Sequence, residues 1–451
     1  MAALMAAVFA FQLNASMLSP ALTTMEHELG TTSSQIGLTQ TVFFTSCAVF
    51  SLFLPRLGDL AGRKKVLLGM LALTALGCVI SALAPNVAVL MVGRVIQGVA
   101  GPVVPMTLIM LHAAVTEEAR YTRLMSILTA VNGGIGGVDA LLGGWLAGTF
   151  GFRSVFWFMV AVAVLAIVLV FCFAEESHAA QTPRMDWAGV IFLCVAFLSA
   201  YLAINEVEKL ADANWLMVLV EILVAAVFFV VFWQTEGRSR APMVTTTYLK
   251  QRRTWGLLLT TLTTMIAVFA IMNGIVPALA QDGNIGAGMK ASVVSFATLT
   301  PYALVGLVFG PVAGILASRF GYRMVLRTGQ LVSILGLAFG VYVCFRPSIW
   351  GLVVLSVVLG VSYAGTVNIM LNGLGVVLSP ADNTGYLPGL NAGAFNLGSG
   401  LSYAVLYAFM NSFSGSGDGR GGYVAAMVGG AVLMAIALLC SLLIPGEEEK
   451  K

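Results

Sequence analysis

Along this chain, apolar runs of about twenty residues alternate with short polar stretches, the length and character of helices that cross a bilayer. The runs lie near 2–22, 36–55, 66–84, 88–113, 123–148 and 154–174, then near 187–204 and 215–233. Six more follow, near 255–280, 291–317, 325–345, 349–378, 386–412 and 423–444. A polar stretch, Glu175 to Asp186, and a basic one, Gln234–Thr254, set off the middle pair. The pattern predicts an all-α integral membrane protein with fourteen transmembrane helices grouped six, two and six. The expected units are residues 1–174, a six-helix bundle; 175–254, a linker with two additional helices and a basic loop; and 255–451, a second six-helix bundle.

The polar stretch Pro55-Arg56-Leu57-Gly58-Asp59-Leu60-Ala61-Gly62-Arg63-Lys64-Lys65 joins the second and third runs. Two glycines suit a tight turn, and the cationic cluster belongs in water. Asp59 falls one turn before the cluster, where it can cap or pair with a helix end. A partial copy recurs between the second and third runs of the last six, at Gly314-Ile315-Leu316-Ala317-Ser318-Arg319-Phe320-Gly321-Tyr322-Arg323. Gly62 aligns with Gly321, Arg63 with Tyr322 and Lys64 with Arg323. One connection used twice predicts two related halves, with the middle pair outside the repeat.

Composition excludes a soluble alternative. Hydrophobic residues are 59% and charged residues 10%, against roughly 25% charged in a soluble domain. The net charge of +3 is no sign of nucleic-acid binding, because the basic residues lie in loops. Most of the 23 Lys and Arg fall on one side if the N-terminus is cytoplasmic, which places both termini inside. The six cysteines sit in different apolar runs and read as small core residues, with neither zinc nor disulfide spacing. His27, His112 and His178 are scattered, so no metal and no cofactor is expected. Gly417–Gly422 fits G-x-G-x-x-G with no strand before it, an accidental match. No segment could hold a nucleotide-hydrolysing domain.

The intramembrane polar residues are the candidate chemistry. Arg94 lies roughly two turns into the fourth run, at a cost of several kcal/mol unless it faces protein or water. Gln97 shares its face. Arg94 reads either as a bundle staple held by carbonyls or as a charge facing a cavity. The fifth run carries Asn132 and, seven residues on, Asp139, among six glycines that permit close helix contact. A carboxylate that meets water and a dry interior in turn can load and release a proton. Asp139 could instead pair with Arg94 or be structural. The amides Gln12, Asn14, Gln40, Asn273, Asn368, Asn372, Asn391 and Asn396 could bind a solute or stitch helices. Glu221 reads as a partner for a neighbouring helix.

Taken together, these features resemble the major facilitator superfamily, and within it the fourteen-helix drug:proton antiporters. The stretch at 55–65 looks like the family's G-x-L-a-D-r-x-G-r-k signature, with Pro55 in the first glycine's place. Arg94-Val95-Ile96-Gln97-Gly98 looks like its R-x-x-Q-G motif. The antiporter signature of helix five ends G-P-x-x-G-G; Gly143 and Gly144 match, but Asp139-Ala140 replace the glycine-proline. Leu13-Asn14 stands where such exporters carry an acidic residue, so the proton site is expected to have moved from helix one to helix five.

The resemblance implies two pseudo-symmetric bundles around a central cavity that opens alternately to each side. Helices one, four, nine and twelve would line it. Proton coupling would fall to Asp139 and Arg94. Substrate would be bound by Asn14, Gln12, Gln97, Asn132, Asn273, Asn368 and Asn372. A cytoplasmic latch would comprise Asp59, Gly62, Arg63, Lys64, Arg319, Gly321 and Arg323. The chain is expected to be a transporter, not an enzyme, acting as a monomer in the cell membrane with protons and a small-molecule substrate as partners. Proton-coupled export of small hydrophobic compounds is the first reading. Uptake of a polar or anionic solute by symport or facilitation is the second, and a lipid-translocating or non-transporting protein the third.

Overall fold

The computed structural model describes residues 1–115, 117, 124, 128, 138–177, 186–207, 213–238, 250–379, 386–415 and 419–445. Among these the regular structure is helical throughout. Helices stand at every predicted run. Ten are long and apolar enough to cross a membrane, and eleven if the bent pair within Ser33–Ala61 counts as one span. Val138–Phe150 and Trp187–Ala203 are apolar but shorter, and Tyr386–Ser414 carries many small and polar residues. Among the described residues the long apolar spans thus number ten or eleven, and the expected count of fourteen is not confirmed.

The stretch expected to be a loop at 55–65 is mostly helix. Ser33–Ala61 runs through Pro55, and Arg63–Ala82 starts two residues later. Gly58 is helical; it lies so close to Met106 that a Cβ would come within 2.6 Å of its Cε. Gly62 alone makes the turn, at φ +106°. The copy behaves alike: Leu299–Phe320 ends, Gly321 turns at φ +82°, and Tyr322–Phe345 begins. Such backbone is open essentially to glycine only. The parallel continues one helix on, where Asn86 accepts from Val89 N–H and Ser348 from Gly351 N–H as N-caps.

Four helical spans are interrupted by non-α turns. Ser19–Ala21 and Gly98–Ala100 are 3-10 turns in the first and fourth spans. Ile271–Ile275 and Gly360–Val367 are π turns in the ninth and twelfth. These are the spans expected to line a cavity, and among the described residues 3-10 and π turns occur in no others. The tenth span breaks differently, at Thr298 between Ala291–Ala297 and Leu299–Phe320.

Among the described residues, two close seams between the first six spans and the last six stand out. Thr41 Oγ1 donates to Gly400 O at 2.9 Å, and Gly37 lies against the Tyr407 ring. Ser295 Oγ donates to Ala140 O at 3.0 Å, and Gly144 packs so tightly that a Cβ would fall 2.4 Å from Ala291 O. Small residues here let backbones meet without a hydrophobic driving force, as membrane helices require. The middle pair, Trp187–Val207 and Trp215–Arg238, packs on itself, and Leu193 and Phe232 meet Leu390 of Tyr386–Ser414. Its outer surface is apolar, with Leu216 70% exposed, as a lipid-facing helix demands.

Candidate functional site

Arg94 is fully buried, and its guanidinium is held from three helices. Nη1 donates to Gln97 Oε1 at 2.7 Å and to Asn14 O at 3.3 Å. Nη2 donates to Gln40 Oε1 at 2.8 Å and to Asn14 O at 3.4 Å. The guanidinium carbon lies 4.0 Å over the Phe43 ring, a cation–π contact strengthened by loss of water. Gln97 Nε2 donates onward to Ser81 Oγ at 2.8 Å. Gly77 and Gly93 bring those two helices into backbone contact, which puts Ser81 within reach. Gln40 Nε2 and Arg94 Nε remain buried without a partner among the described residues. The site thus keeps two donors in reserve.

Asp139 is 3% exposed and sits apart from Arg94. Its Oδ2 lies 2.5 Å from Ser16 Oγ, and its Oδ1 has no hydrogen-bond partner among the described residues. Ser16 in turn contacts Gln12 O and Gln12 Nε2, both at 3.0 Å. An Arg94–Asp139 pair, one of the options left open by the sequence, is not formed: both Nη atoms of the guanidinium bond amides and a carbonyl instead.

The non-α turns of the first and ninth spans face each other. Ser19 Oγ donates to Asn273 Oδ1 at 3.4 Å, Asn273 Nδ2 donates to Phe269 O at 3.0 Å, and Tyr403 Oη donates to Asn273 O at 3.3 Å. An aromatic chain leads from Arg94 to this point. Phe43 meets Phe44 at 4.9 Å between centroids, Phe44 meets Phe269 at 5.0 Å, and Phe269 meets Phe395 and Tyr403 at 6.2 Å each. All four pairs are edge-to-face, a favoured arrangement. Phe269 and Phe395 are only half-buried, so ring surface there is open to a ligand.

The remaining predicted residues scatter. Asn14 Nδ2 donates to Ala10 O, and its Oδ1 receives the Cys78 thiol at 3.3 Å; that cysteine is a polar partner as well as core. Asn368 is half-buried and Asn372 exposed, the latter donating to the former's Oδ1 at 3.1 Å. Asn132 lies outside the described residues. Asp59 accepts from Arg63 Nε at 2.8 Å, while Lys64 Nζ donates to Phe171 O at 2.9 Å. Glu176 Oε1 accepts the Lys64 N–H at 2.9 Å, capping that helix beside Gly62. Arg319 is exposed, and Gly321 and Arg323 are half-buried. Cys172 is exposed, against the expectation of a core residue; it faces outward near the end of Phe152–Phe173.

Sequence reasoning passed over Ser16, Ser19, Ser81, Phe43, Tyr403 and Tyr407. Hydroxyls and aromatics are common in apolar spans, and nothing in their spacing distinguishes these. Only Ser16 and Ser19, close after Asn14 and ahead of Pro20, carried a local hint.

The sequence matches the Major Facilitator Superfamily over residues 4–284 and again over 257–451. It is 57% identical to the uridine/deoxyuridine transporter of Lactococcus lactis subsp. cremoris, across 100% of this chain and 95% of that one. It is 28% identical to the multidrug resistance protein Stp of Mycobacterium tuberculosis, over 80% of this chain and 66% of that one. In fold it is similar to the nucleoside transporter NupG, with a TM-score of 0.63 at 14% identity, over 97% and 98% of the two chains. A POT family transporter bound to 5-aminolevulinic acid gives 0.71 at 14% identity, over 99% and 96%. With both matches spanning the chain end to end, this multi-pass membrane protein belongs to the major facilitator superfamily and is a transporter.

Proposed function

We propose that the chain carries pyrimidine nucleosides, uridine and deoxyuridine first, across the cell membrane by alternating access. The observation that carries this reading is the 57% identity, over the full chain, to a uridine/deoxyuridine transporter. The site suits such a solute. A uracil ring offers a flat face for Phe269 and Phe395 and carbonyl oxygens for spare donors such as Gln40 Nε2 and Arg94 Nε. Its sugar hydroxyls match amides such as Asn273. The second of the sequence readings, a polar solute, thus replaces drug export as the preferred one. The relatives named for drug resistance are far more distant, at 28% and 24% identity.

In this reading residues 1–174 and 255–451 are the two rocking halves, with 175–254 beside them. With the N-terminus cytoplasmic, the Gly37–Tyr407 and Gly144–Ala291 seams lie toward the outside. The conformation is then closed outward. The test is counterflow of labelled uridine in proteoliposomes holding the purified protein. Exchange that unlabelled deoxyuridine competes away supports the reading; no uridine exchange overturns it.

A further inference from the structure

Most amides buried in the spans are already spent. Asn14, Gln97, Asn273 and Asn391 use both polar atoms in bonds to protein neighbours. Gln40 and Gln330 use one atom, and the other is sealed from any approach. Asn396 differs. It is 6% exposed, yet among the described residues it makes no hydrogen bond, and neither atom of its amide is walled in. A carboxamide that stitches helices has partners; this one has none.

Its place in the fold says where the amide points. On Tyr386–Ser414, residues three and four apart share a face, and one face carries Tyr407, Tyr403, Gly400, Asn396, Gly393 and Gly389. At the outer end that face is shut: Tyr407 lies on Gly37, and Gly400 O accepts from Thr41. Farther in, a Cβ at Gly393 or Gly389 would meet nothing within 4 Å. Asn396 stands where the closed seam gives way to open space. Phe269 flanks the same opening. Its half-buried ring meets Tyr403, two turns outward on that face, and Phe395, the neighbour of Asn396.

An unengaged carboxamide offers an acceptor and donors in one plane. It pairs side by side with an edge that sets one donor next to one acceptor, as asparagine does with a base. Uracil has such an edge in N3–H beside O4. Of the two proposed substrates deoxyuridine lacks the 2′-hydroxyl, so the edge they share is that of the base. We propose that Asn396 reads this edge: Oδ1 accepts the uracil N3–H and Nδ2 donates to O4, while the ring lies against Phe269. The proposal rests on the nucleoside reading above. Nothing fixes which way the amide faces, so turned round it pairs equally with N3 and the amino group of cytosine. Asn396 therefore selects pyrimidines with an unblocked edge and does not choose between these two bases.

3-Methyluridine, with a methyl group in place of the N3 hydrogen, is the probe. Counterflow of labelled uridine is measured in proteoliposomes, with uridine, 3-methyluridine or 3′-deoxyuridine as competitor. In the parent, 3-methyluridine is expected to compete at least about tenfold less well than uridine. In Asn396→Ala, uridine should lose about that factor and the two should become equal. Asn396→Asp keeps the side-chain shape but sets an acceptor opposite O4, so it should weaken uridine about tenfold with a parental melting curve. Equal competition by uridine and 3-methyluridine in the parent overturns the proposal, as does parental discrimination in Asn396→Ala or parental uridine affinity in Asn396→Asp. If Asn396→Ala closes the gap between uridine and 3′-deoxyuridine instead, the amide serves the sugar and the proposal fails. These outcomes leave the nucleoside reading standing; no uridine counterflow by the parent overturns both.

Discussion

Arg94 and Asp139 are both bound to the helix Ala2–Ser16, two residues apart, and not to each other: the guanidinium takes the carbonyl of Asn14, and the carboxyl takes the hydroxyl of Ser16. The first span thus contacts both ionisable groups, one through its backbone and one through a side chain. Any tilt of that span moves both contacts at once.

Replacing Arg94 tests its part directly. Arg94→Lys keeps a charge but cannot reach Asn14 O, Gln40 and Gln97 together with one ammonium. Initial uridine uptake is expected to fall at least about tenfold, the rate equivalent of ~1.4 kcal/mol. Arg94→Ala leaves Gln40 and Gln97 unsatisfied, at about 1–3 kcal/mol each, and should also lower the melting temperature in detergent. Parent-like uptake by both variants would exclude a role for the guanidinium.

Phe269 offers an open ring between Phe44, Phe395 and Tyr403. If a base stacks there, Phe269→Ala should raise KM for uridine by about tenfold, within the roughly 1–3 kcal/mol that stacking a base contributes. Phe269→Tyr should restore most of it, and Phe269→Leu, similar in apolar bulk, should not. Equal KM for the Leu and Tyr variants would mean that the ring only fills space.

The seam at Gly144 gives a conformational test. A valine side chain there would collide with Ala291 O, so Gly144→Val should prevent outward closure while leaving each half folded. Uptake should fall more than about tenfold with a near-parental melting curve, because overpacking a movable seam is relieved by parting it and not by strain in a core. A cysteine placed at Ser292 should then become more reactive to a membrane-impermeant thiol reagent. Unchanged labelling would place the seam elsewhere in the cycle.

Gly62 and Gly321 share a backbone conformation but differ in surroundings. A Cβ at Gly62 would press within 2.8 Å of the Glu176 carboxylate, and one at Gly321 would meet nothing within 4 Å. Both Gly→Ala changes should cost the backbone roughly 1–3 kcal/mol. Gly62→Ala should lose more, by displacing the Glu176 cap from Lys64 N–H. Thermal melts of the two variants in one detergent rank them.

Most of the architecture was legible because hydrophobic length and loop charge are properties of the chain read residue by residue. The repeated glycine turn, Arg94 with Gln97 and the buried Asp139 all came from that reading. Others did not. Pro55 and Gly58 suggested a loop, but both lie within the helix Ser33–Ala61, where Gly58 packs against Met106. Asn368 and Asn372 share a face as expected, yet they bond each other and stand apart from Arg94. Ser16, close after Asn14, carried only a faint hint; packing of Val138–Phe150 against the first span is what brings a carboxyl to it. The partners of a polar group in a membrane bundle are set by helix crossing, which one-dimensional spacing does not encode.

The π turns at Ile271–Ile275 and Gly360–Val367 each hold one residue more than an α-turn would. Expelling that residue would rewind the helix and swing every side chain beyond it by about 100°. Asn273 and Tyr363 lie within these turns. A bound solute could thus be let go by a local change of pitch, with the two bundles rocking only as far as the gates require.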